Sequence, residues 1–201
     1  SCTSYNRRHL YLLAKNNDKP VARFTARHEG VSQEEGMKIP EELFGGLSSE
    51  IELCEDAPVL STSNVWVTAG IMNGTRGTIR AIVYRKGDRP DHENPDRRLP
   101  HVILVECPQF SGEPFFDVRT HPERRHWVPF FPRDAKEENE TGVTRTQYAL
   151  TLAWALTPWK AQGMTLELLV VKLGEAAGRP GVAFVALTRA THPDGLALDE
   201  F

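Results

Sequence analysis

Residues 148–171 read YALTLAWALTPWKAQGMTLELLVV, and the end of this stretch decides the fold class. Residues 168–171 form a continuous apolar run, which is typical of a strand buried on both faces of a parallel sheet. The segment 181–190 that follows suits a helix, and residues 195–199 suit a final strand. This alternation of strand and helix predicts an α/β fold with a parallel sheet.

The region before this stretch has a different pattern, in which short apolar runs alternate with turn residues. Asn73-Gly74, followed by Gly77, predicts a turn ahead of an alternating strand. Short strands are predicted over residues 59–60, 65–67, 78–84, 101–106 and 127–131. From these strands we predict a small β-barrel over residues 78–146.

The remaining segments are predicted from local composition. Residues 5–15 suit a short helix, and residues 21–25 suit a strand. Residues 29–50 are rich in Gly, Glu and Ser and predict an exposed linker or loop. The acidic residues 134–140 predict a solvating, disorder-prone loop.

The composition sets limits on the class of protein. The net charge of the 201 residues is −3, so any nucleic-acid site must be a local patch rather than a general basic field. Three scattered cysteines predict free thiols in a reducing compartment. No run approaches the ~18 apolar residues of a membrane span. We therefore expect an intracellular protein with no membrane partner.

Residues 157–165, TPWKAQGMT, place a hydroxyl, an aromatic ring, a cation, an amide and a glycine on one predicted connection between elements. Loops of this kind often carry ligand-binding residues. A purely structural interpretation is also open, in which Trp159 packs in the core, Lys160 is solvated and Gly163 forms a turn.

This stretch resembles a motif of the PIF-type, RecD-like branch of superfamily 1 helicases. The motif runs Ala-hydrophobic-Thr/Ser-Ile-His-Lys-Ser/Ala-Gln-Gly-x-Thr. Two positions differ, because Pro158 and Trp159 stand where Ile and His are usual, although an aromatic ring can still stack on a base. The matching positions are Ala155, Leu156, Thr157, Lys160, Ala161, Gln162, Gly163 and Thr165.

Residues 182–190, VAFVALTRA, resemble the family's Tyr-Val-Ala-Leu-Ser-Arg motif, with Phe184 for Tyr and Thr188 for Ser. The resemblance implies that Arg189 reaches the γ-phosphate of ATP. A guanidinium is always charged and stabilises negative charge on transferring phosphoryl oxygens. The alternative is an ordinary surface arginine at a helix end.

Residues 63–78, SNVWVTAGIMNGTRGT, resemble the family's segment ahead of an inserted Src-homology-3-like β-barrel that touches single-stranded DNA. Residues 5–10, YNRRHL, resemble more weakly a helix that follows the family's motif IV. The resemblance thus implies a second RecA-like domain of the P-loop NTPase type, over residues 1–77 and 147–201, with the barrel 78–146 inserted.

The resemblance also implies the roles of single residues and the partners. Arg189 is the expected catalytic residue, and ATP binding is expected of Gln162, Gly163 and Arg189. Contacts to single-stranded DNA are expected of Thr157, Trp159, Lys160, Thr165, Asn73 and Gly74. No metal ligand is expected in this chain.

The sequence contains no Gly-x-x-x-x-Gly-Lys-Ser/Thr loop and no Walker B carboxylate after an apolar strand. We therefore expect the C-terminal half of a helicase, which uses ATP and Mg²⁺ only with the N-terminal RecA-like domain of the same polypeptide. The resemblance further implies 5′ to 3′ movement and a place in the nucleus or a mitochondrion.

Three other interpretations remain open. His101, His121 and His126 lie near Cys107 but lack the paired spacing of a zinc site. A basic cluster on the predicted barrel is either a phosphate contact or a solvated face; it consists of Arg119, Arg124, Arg125 and His126. The main alternative function is a nucleic-acid-binding or interaction module without motor activity.

Overall fold

The computed structural model describes residues 1–90, 92–94, 97–139, 142–172 and 181–199. The chain divides into two compact units, the first within Thr3–Trp154 and the second within Ala155–Phe201, called unit 1 and unit 2 below. In the described ranges, no helix has both the length and the apolar character that crossing a bilayer requires.

Unit 1 begins with the helix α1, Cys2–Asn16, which confirms the predicted helix over residues 5–15. Ser1 caps its N-terminus, because the Ser1 side chain accepts a hydrogen bond from the Ser4 backbone N–H. Leu10 and Ala14, four residues apart, share one face of the helix and are buried in the core.

Three antiparallel sheets follow. A two-stranded sheet pairs β1 (Ala22–Thr25) with β3 (Glu50–Leu53). A three-stranded sheet has the order β2-β9-β8, with β2 at Arg27–Glu29, β8 at Arg133–Lys136 and β9 at Thr144–Gln147. A five-stranded sheet has the order β10-β4-β5-β6-β7 and consists of Leu150–Leu152, Pro58–Ser61, Arg76–Val83, Val102–Glu106 and Trp127–Phe130.

The five-stranded sheet confirms the predicted strands at residues 59–60, 78–84, 101–106 and 127–131. Its inward side chains form the main core together with α1, β1 and β3. Fully buried members include Phe24, Leu53, Val59, Ile71, Ile79, Ile103, Val105 and Tyr148.

The predicted domain boundaries lie inside these sheets. Residue 77 falls within β5, and residue 146 falls within β9. β4, which precedes the predicted barrel, pairs with β5 through Pro58–Leu60, and β10, which follows the barrel, pairs with β4. The structure is thus an α/β fold with mixed sheets, while the RecA-like domain over 1–77 and 147–201 and the inserted barrel stay predictions.

The prediction of an exposed loop over residues 29–50 is wrong. This segment contains the helix α2, Gln33–Lys38, and a 3-10 helix at Glu41–Phe44. Phe44 is fully buried, and Leu47 is buried with it in a second, smaller core. The segment packs because a buried cation far along the chain donates hydrogen bonds to its carbonyl oxygens.

That cation is Arg145 on β9, whose side chain is fully buried. Its guanidinium donates hydrogen bonds to the carbonyl oxygens of Leu47 at 2.8 Å, Gly36 at 2.8 Å and Ile39 at 2.7 Å. Its Nε donates to Nε2 of His28 at 2.9 Å, and its carbon Cζ lies 4.1 Å from the centre of the Phe44 ring. Arg145 thereby gives the carbonyl oxygens of Leu47 and Ile39 a donor, while the Gly36 carbonyl oxygen also accepts from the Ile39 backbone N–H at 3.2 Å.

Two further predictions in unit 1 are corrected. Residues 65–67 do not form a strand, because Trp66 pairs with Ile71 around a short 3-10 helix, Val67–Ala69, that closes at Gly70 with φ +82°. The acidic stretch 134–140 begins as part of β8 and includes the buried Glu137, whereas Glu140 lies outside the described residues.

Unit 2 contains the predicted parallel pair, formed by β11 (Leu169–Val171) and β12 (Leu196–Leu198). The predicted helix over residues 181–190 is present as α3, Val182–Leu187. The prediction that 168–171 is buried throughout is wrong, since Leu168 is 83% exposed and Val170 67% exposed. In the described part β11 pairs with β12 alone.

Candidate nucleotide and nucleic-acid site

The segment 157–164 is a series of tight turns. The backbone N–H of Ala161 donates to the carbonyl oxygen of Thr157 at 3.1 Å, and that of Met164 donates to the carbonyl oxygen of Ala161 at 3.1 Å. Gly163 has φ +80°, a conformation that L side chains rarely adopt. Ala161 is buried and anchors the segment, so the side chains on either side of it point outward.

The outward side chains include most of the predicted ligand contacts. Trp159 is 58% exposed, which excludes the alternative interpretation that it packs in the core. Lys160, Gln162, Gly163 and Thr165 are exposed, and Thr157 is half-buried. An exposed indole beside an ammonium group is a combination that can stack on a base and pair with a phosphate.

Arg189 lies just after α3. Its Nε donates to the carbonyl oxygen of Val185 at 2.9 Å, and one terminal nitrogen donates to the carbonyl oxygen of Met164 at 3.3 Å. The other terminal nitrogen donates to the hydroxyl of Thr188 at 2.9 Å. All three acceptors are neutral, so the guanidinium keeps a positive charge that a phosphate can use.

The backbone joins the two predicted motifs within unit 2. The N–H of Leu166 donates to the carbonyl oxygen of Arg189 at 2.8 Å, and the N–H of Thr191 donates to the carbonyl oxygen of Leu166 at 2.9 Å. Leu166 and Ala190 form a parallel bridge. Arg189 is therefore held directly beside the segment that carries Gln162 and Gly163.

Asn73 and Gly74, the other predicted DNA contacts, belong to unit 1. The N–H of Gly74 donates to the carbonyl oxygen of Ser61 at 2.8 Å, and the N–H of Asn73 donates to Oδ1 of Asn64 at 3.0 Å. Gly74 has φ +87° and open space where a Cβ would stand. The predicted Asn-Gly turn is confirmed, while its role towards DNA stays a prediction.

Sequence reasoning missed a groove in unit 1 beside this turn. It is lined by Asn64, Val65, Pro129, Phe130, Phe131, Pro132, Arg133 and Ala149. Arg133 spans it by donating hydrogen bonds to Oγ of Ser63 at 2.5 Å and to the carbonyl oxygen of Asn64 at 3.3 Å. The only signal in the sequence is the run Pro-Phe-Phe-Pro-Arg at residues 129–133, which we interpreted merely as the end of a strand.

The residues considered for zinc lie in ordinary structural environments. His126 contacts the carbonyl oxygen of Phe110 at 3.2 Å through Nδ1. Burial raises the pKa of the Cys107 thiol to about 12, which disfavours the thiolate that a metal requires. Across the part of the chain that the structure describes, no group of three His, Cys, Asp or Glu side chains is placed to hold a metal ion.

The basic cluster on the predicted barrel is divided in the structure. The Arg124 guanidinium carbon lies 5.6 Å from the centre of the Phe116 ring and 5.1 Å from that of Trp127, so this arginine packs on aromatic faces. Arg119 has a side chain that is 92% exposed and lies 3.6 Å from a carboxylate oxygen of Asp117. Whether this cluster binds DNA stays a prediction.

Comparison with known proteins gives a consistent result. The ATP-dependent DNA helicase PIF1 of Xenopus laevis is 29% identical over 155 residues, which cover 77% of this chain and 20% of that protein. The crystal structure of Pif1 helicase from Candida albicans has a TM-score of 0.69 at 23% identity and covers 99% of this chain and 42% of its own. The Bacteroides Pif1 complex with ADP-AlF3 and single-stranded DNA has a TM-score of 0.59 at 20% identity, covering 99% and 38%.

No family model matches the chain. The chain spans about a fifth of the length of the curated helicases that it matches. The resemblance predicted from three ordered motifs is nevertheless confirmed by the sequence similarity and the shared fold. This chain is similar in sequence and fold to the Pif1-type DNA helicases over part of their length.

Proposed function

We propose that this chain is the C-terminal motor half of an ATP-dependent 5′ to 3′ DNA helicase. Its relatives are named ATP-dependent DNA helicases, and one structural neighbour is a complex with ADP-AlF3 and single-stranded DNA. We assign the phosphate-binding loop and the Mg²⁺ site to an N-terminal RecA-like domain of the same polypeptide, working in the nucleus or a mitochondrion.

The observation that carries the proposal is the junction between Arg189 and the segment 157–165. A phosphate oxygen is anionic, so its hydrogen bonds with a guanidinium carry an ion-pair attraction that a neutral carbonyl acceptor does not provide. Arg189 would therefore leave the carbonyl oxygen of Met164 when it reaches the γ-phosphate of ATP. Losing that bond loosens the turn that carries Gln162 and Gly163, the other expected ATP contacts.

The movement of Arg189 from the Met164 carbonyl oxygen to the γ-phosphate would also link ATP binding to DNA binding. Trp159 and Lys160 project from the segment that Arg189 restrains, so a change at Arg189 alters how these side chains meet a single strand. Trp159 would stack on a base and Lys160 would pair with a phosphate, with Thr157 and Thr165 close by in the sequence. Asn73 and Gly74 add contacts from unit 1.

The test joins this chain to a RecA-like domain that carries a Gly-x-x-x-x-Gly-Lys-Ser/Thr loop and measures DNA-stimulated ATP hydrolysis. Arg189→Ala is expected to lower kcat by about 10³-fold, the lower end of what an arginine finger contributes. Arg8→Ala, which removes an exposed guanidinium on α1, is the matched control and should leave kcat unchanged. Equal hydrolysis by Arg189→Ala and the unchanged protein would contradict the catalytic role.

An alternative function is a nucleic-acid-binding or interaction module without motor activity. The exposure of Trp159 favours this alternative, because an accessible indole can stack on a base of a single strand without bound ATP. The two functions differ in one result. If Lys160→Ala weakens DNA binding but no added RecA-like domain restores hydrolysis, the binding module is the correct function.

A further inference from the structure

The groove beside the Asn-Gly turn is small and partly aromatic. Its volume is about 250 Å³, below the ~300 Å³ at which pockets begin to enclose a whole drug-sized ligand. A groove of this size accommodates one planar group. Its lining combines the Phe131 ring with the polar Asn64 and the cationic Arg133.

Phe131 presents a usable aromatic surface. Its side chain is 52% exposed, although it lies in a unit with a well-packed core. The imidazole of His101 meets it edge-on, with ring centres 6.0 Å apart and planes inclined by 67°. Pro129 and Pro132 flank it and restrict the backbone, because proline fixes φ. The ring is therefore held in place while much of its surface faces solvent.

Arg133 supplies the charge next to this ring. Its guanidinium donates to the hydroxyl of Ser63 and to the carbonyl oxygen of Asn64, and both acceptors are neutral. The side chain is exposed, and the contacts leave its charge uncompensated. A positioned cation beside an aromatic face matches the two parts of a nucleotide, which are an anionic phosphate and a flat base.

We propose that this groove, which we name the Phe131 groove, binds one nucleotide of a single DNA strand. The base stacks on Phe131, and the phosphate pairs with Arg133. The proposal rests on the proposed function for its ligand class. Continuity supports it, because Asn64 lines the groove and its Oδ1 also accepts the hydrogen bond from Asn73 that holds the predicted DNA-binding turn.

The experiment measures binding of a fluorescent oligothymidylate to the full 201-residue chain across a range of salt concentrations. Phe131→Ala is expected to weaken binding about tenfold at every salt concentration, because one stacked base is lost. Arg133→Ala is expected to reduce the slope of log K against log salt by about 0.7, the value for one phosphate contact to a single strand. Arg133→Lys keeps the charge and should restore the slope.

Matched controls separate the groove from general effects. Tyr11→Ala removes another exposed ring, from α1, and Arg8→Ala removes another exposed guanidinium from the same helix. Both should leave affinity and slope unchanged. Because Phe131 and Arg133 are exposed, their variants should unfold at the same urea concentration as the unchanged chain, which verifies that any loss of binding is local.

The outcomes distinguish this proposal from the proposed function. If Phe131→Ala and Arg133→Ala bind like the unchanged chain while Lys160→Ala binds weakly, the nucleotide site in the groove is refuted and DNA binding through unit 2 stands. The same result would leave the groove to a peptide or another ligand. If the unchanged chain fails to bind the oligonucleotide, the nucleotide site in the groove is refuted, whereas the proposed function is decided by the hydrolysis test with the added RecA-like domain.

Discussion

Units 1 and 2 bury their apolar residues to different extents. Unit 1 encloses a core from three antiparallel sheets and a helix, and its central side chains are inaccessible to solvent. In its described part, unit 2 buries only a few apolar side chains, all of them alanine or valine: Ala161, Val171, Val182 and Ala186. It leaves Leu168, Val170 and Phe184 between 67% and 83% exposed.

This difference indicates where each unit obtains its stability. Antiparallel sheets can be satisfied with one covered face, whereas parallel strands are normally covered on both faces. Exposed apolar patches on a domain mark surfaces that pack against something else. The contrast supports the proposal that unit 2 works within a larger protein, and four predictions test it.

The largest expected effect is in hydrogen exchange. Amide hydrogens of β6, at the middle of the unit 1 sheet, are expected to exchange at least about 10³ times more slowly than those of β12 in unit 2. Opening β6 exposes the main core, whereas opening β12 breaks one short parallel pairing. Exchange followed by mass spectrometry measures both strands in one sample. Similar protection in the two strands would show that the units have equal local stability.

The second prediction compares two arginines that both donate to backbone carbonyl groups. Arg145→Met is expected to destabilise unit 1 by about 3–5 kcal/mol, because the carbonyl oxygens of Leu47 and Ile39 and a His28 nitrogen lose their partner. The acceptors belong to the backbone and remain when the arginine is gone. Arg189→Met, at a half-exposed site, is expected to cost at most about 1 kcal/mol.

Urea unfolding followed by circular dichroism measures both changes, with Arg119→Met as the solvated control. A cost for Arg145→Met no greater than that for Arg189→Met would mean that the buried hydrogen bonds do not determine the stability of unit 1. It would also mean that the Arg145 contacts do not determine the packing of residues 29–50.

The Arg145 contacts show why part of the fold was not predictable from sequence. The helix α1 and strands β4 to β7 were predicted correctly, because their apolar spacing and the Asn-Gly turn are local signals. The packing of residues 29–50 depends on an arginine about a hundred positions away. The local composition carries no sign of that contact and therefore predicts a loop. The Gly, Glu and Ser content predicts a solvated loop, whereas the carbonyl oxygens of Gly36, Ile39 and Leu47 accept hydrogen bonds from the buried Arg145.

The candidate site shows the same division. Residues 157–165 and 182–190 were identified from their motifs and order, and the structure joins them through the Leu166–Ala190 bridge and the Leu166–Arg189 backbone hydrogen bond. The Phe131 groove was missed because Arg133 meets Ser63 and Asn64 across about 70 positions of sequence. No local pattern signals a contact over that separation.

The third prediction compares two glycines. A Cβ on Gly36 would lie 2.4 Å from Cγ of the His28 ring, so Gly36→Ala forces the ring away from Arg145. We expect a net loss of about 1–2 kcal/mol in unit 1, since better helix propensity offsets part of the overpacking. Gly163→Ala meets no atom within 4 Å and carries only the strain of φ +80°.

The Gly163→Ala strain, about 1–2 kcal/mol, should act within unit 2 alone. Urea unfolding of unit 1 should therefore respond to Gly36→Ala and not to Gly163→Ala. Exchange of the Ala161 and Met164 amides should become faster only in Gly163→Ala. An effect of Gly163→Ala on unit 1 as large as that of Gly36→Ala would contradict the independence of the two units.

The smallest expected effect is the pH dependence that His28 contributes. Burial lowers the pKa of His28; the Gln33 hydrogen bond opposes this shift, and the charge of Arg145 adds to it. His28 accepts from Arg145 through Nε2, so the folded state requires the neutral ring. The unfolded chain, with a histidine pKa near 6.5, therefore binds the proton more readily.

The sign of the effect follows from that order of pKa values. The contribution of His28 to stability is complete above about pH 6.5 and is lost as the pH falls through the lower pKa of the folded state. His28→Gln keeps an acceptor for Arg145 without a titrating group, so its urea midpoint should fall less than that of the unchanged chain below pH 6.5. For His192→Gln in unit 2, where the imidazole is 71% exposed, the urea midpoint should fall as much as it does for the unchanged chain. If His28→Gln and the unchanged chain lose stability in parallel, the buried His28–Arg145 contact does not set the acid sensitivity of unit 1.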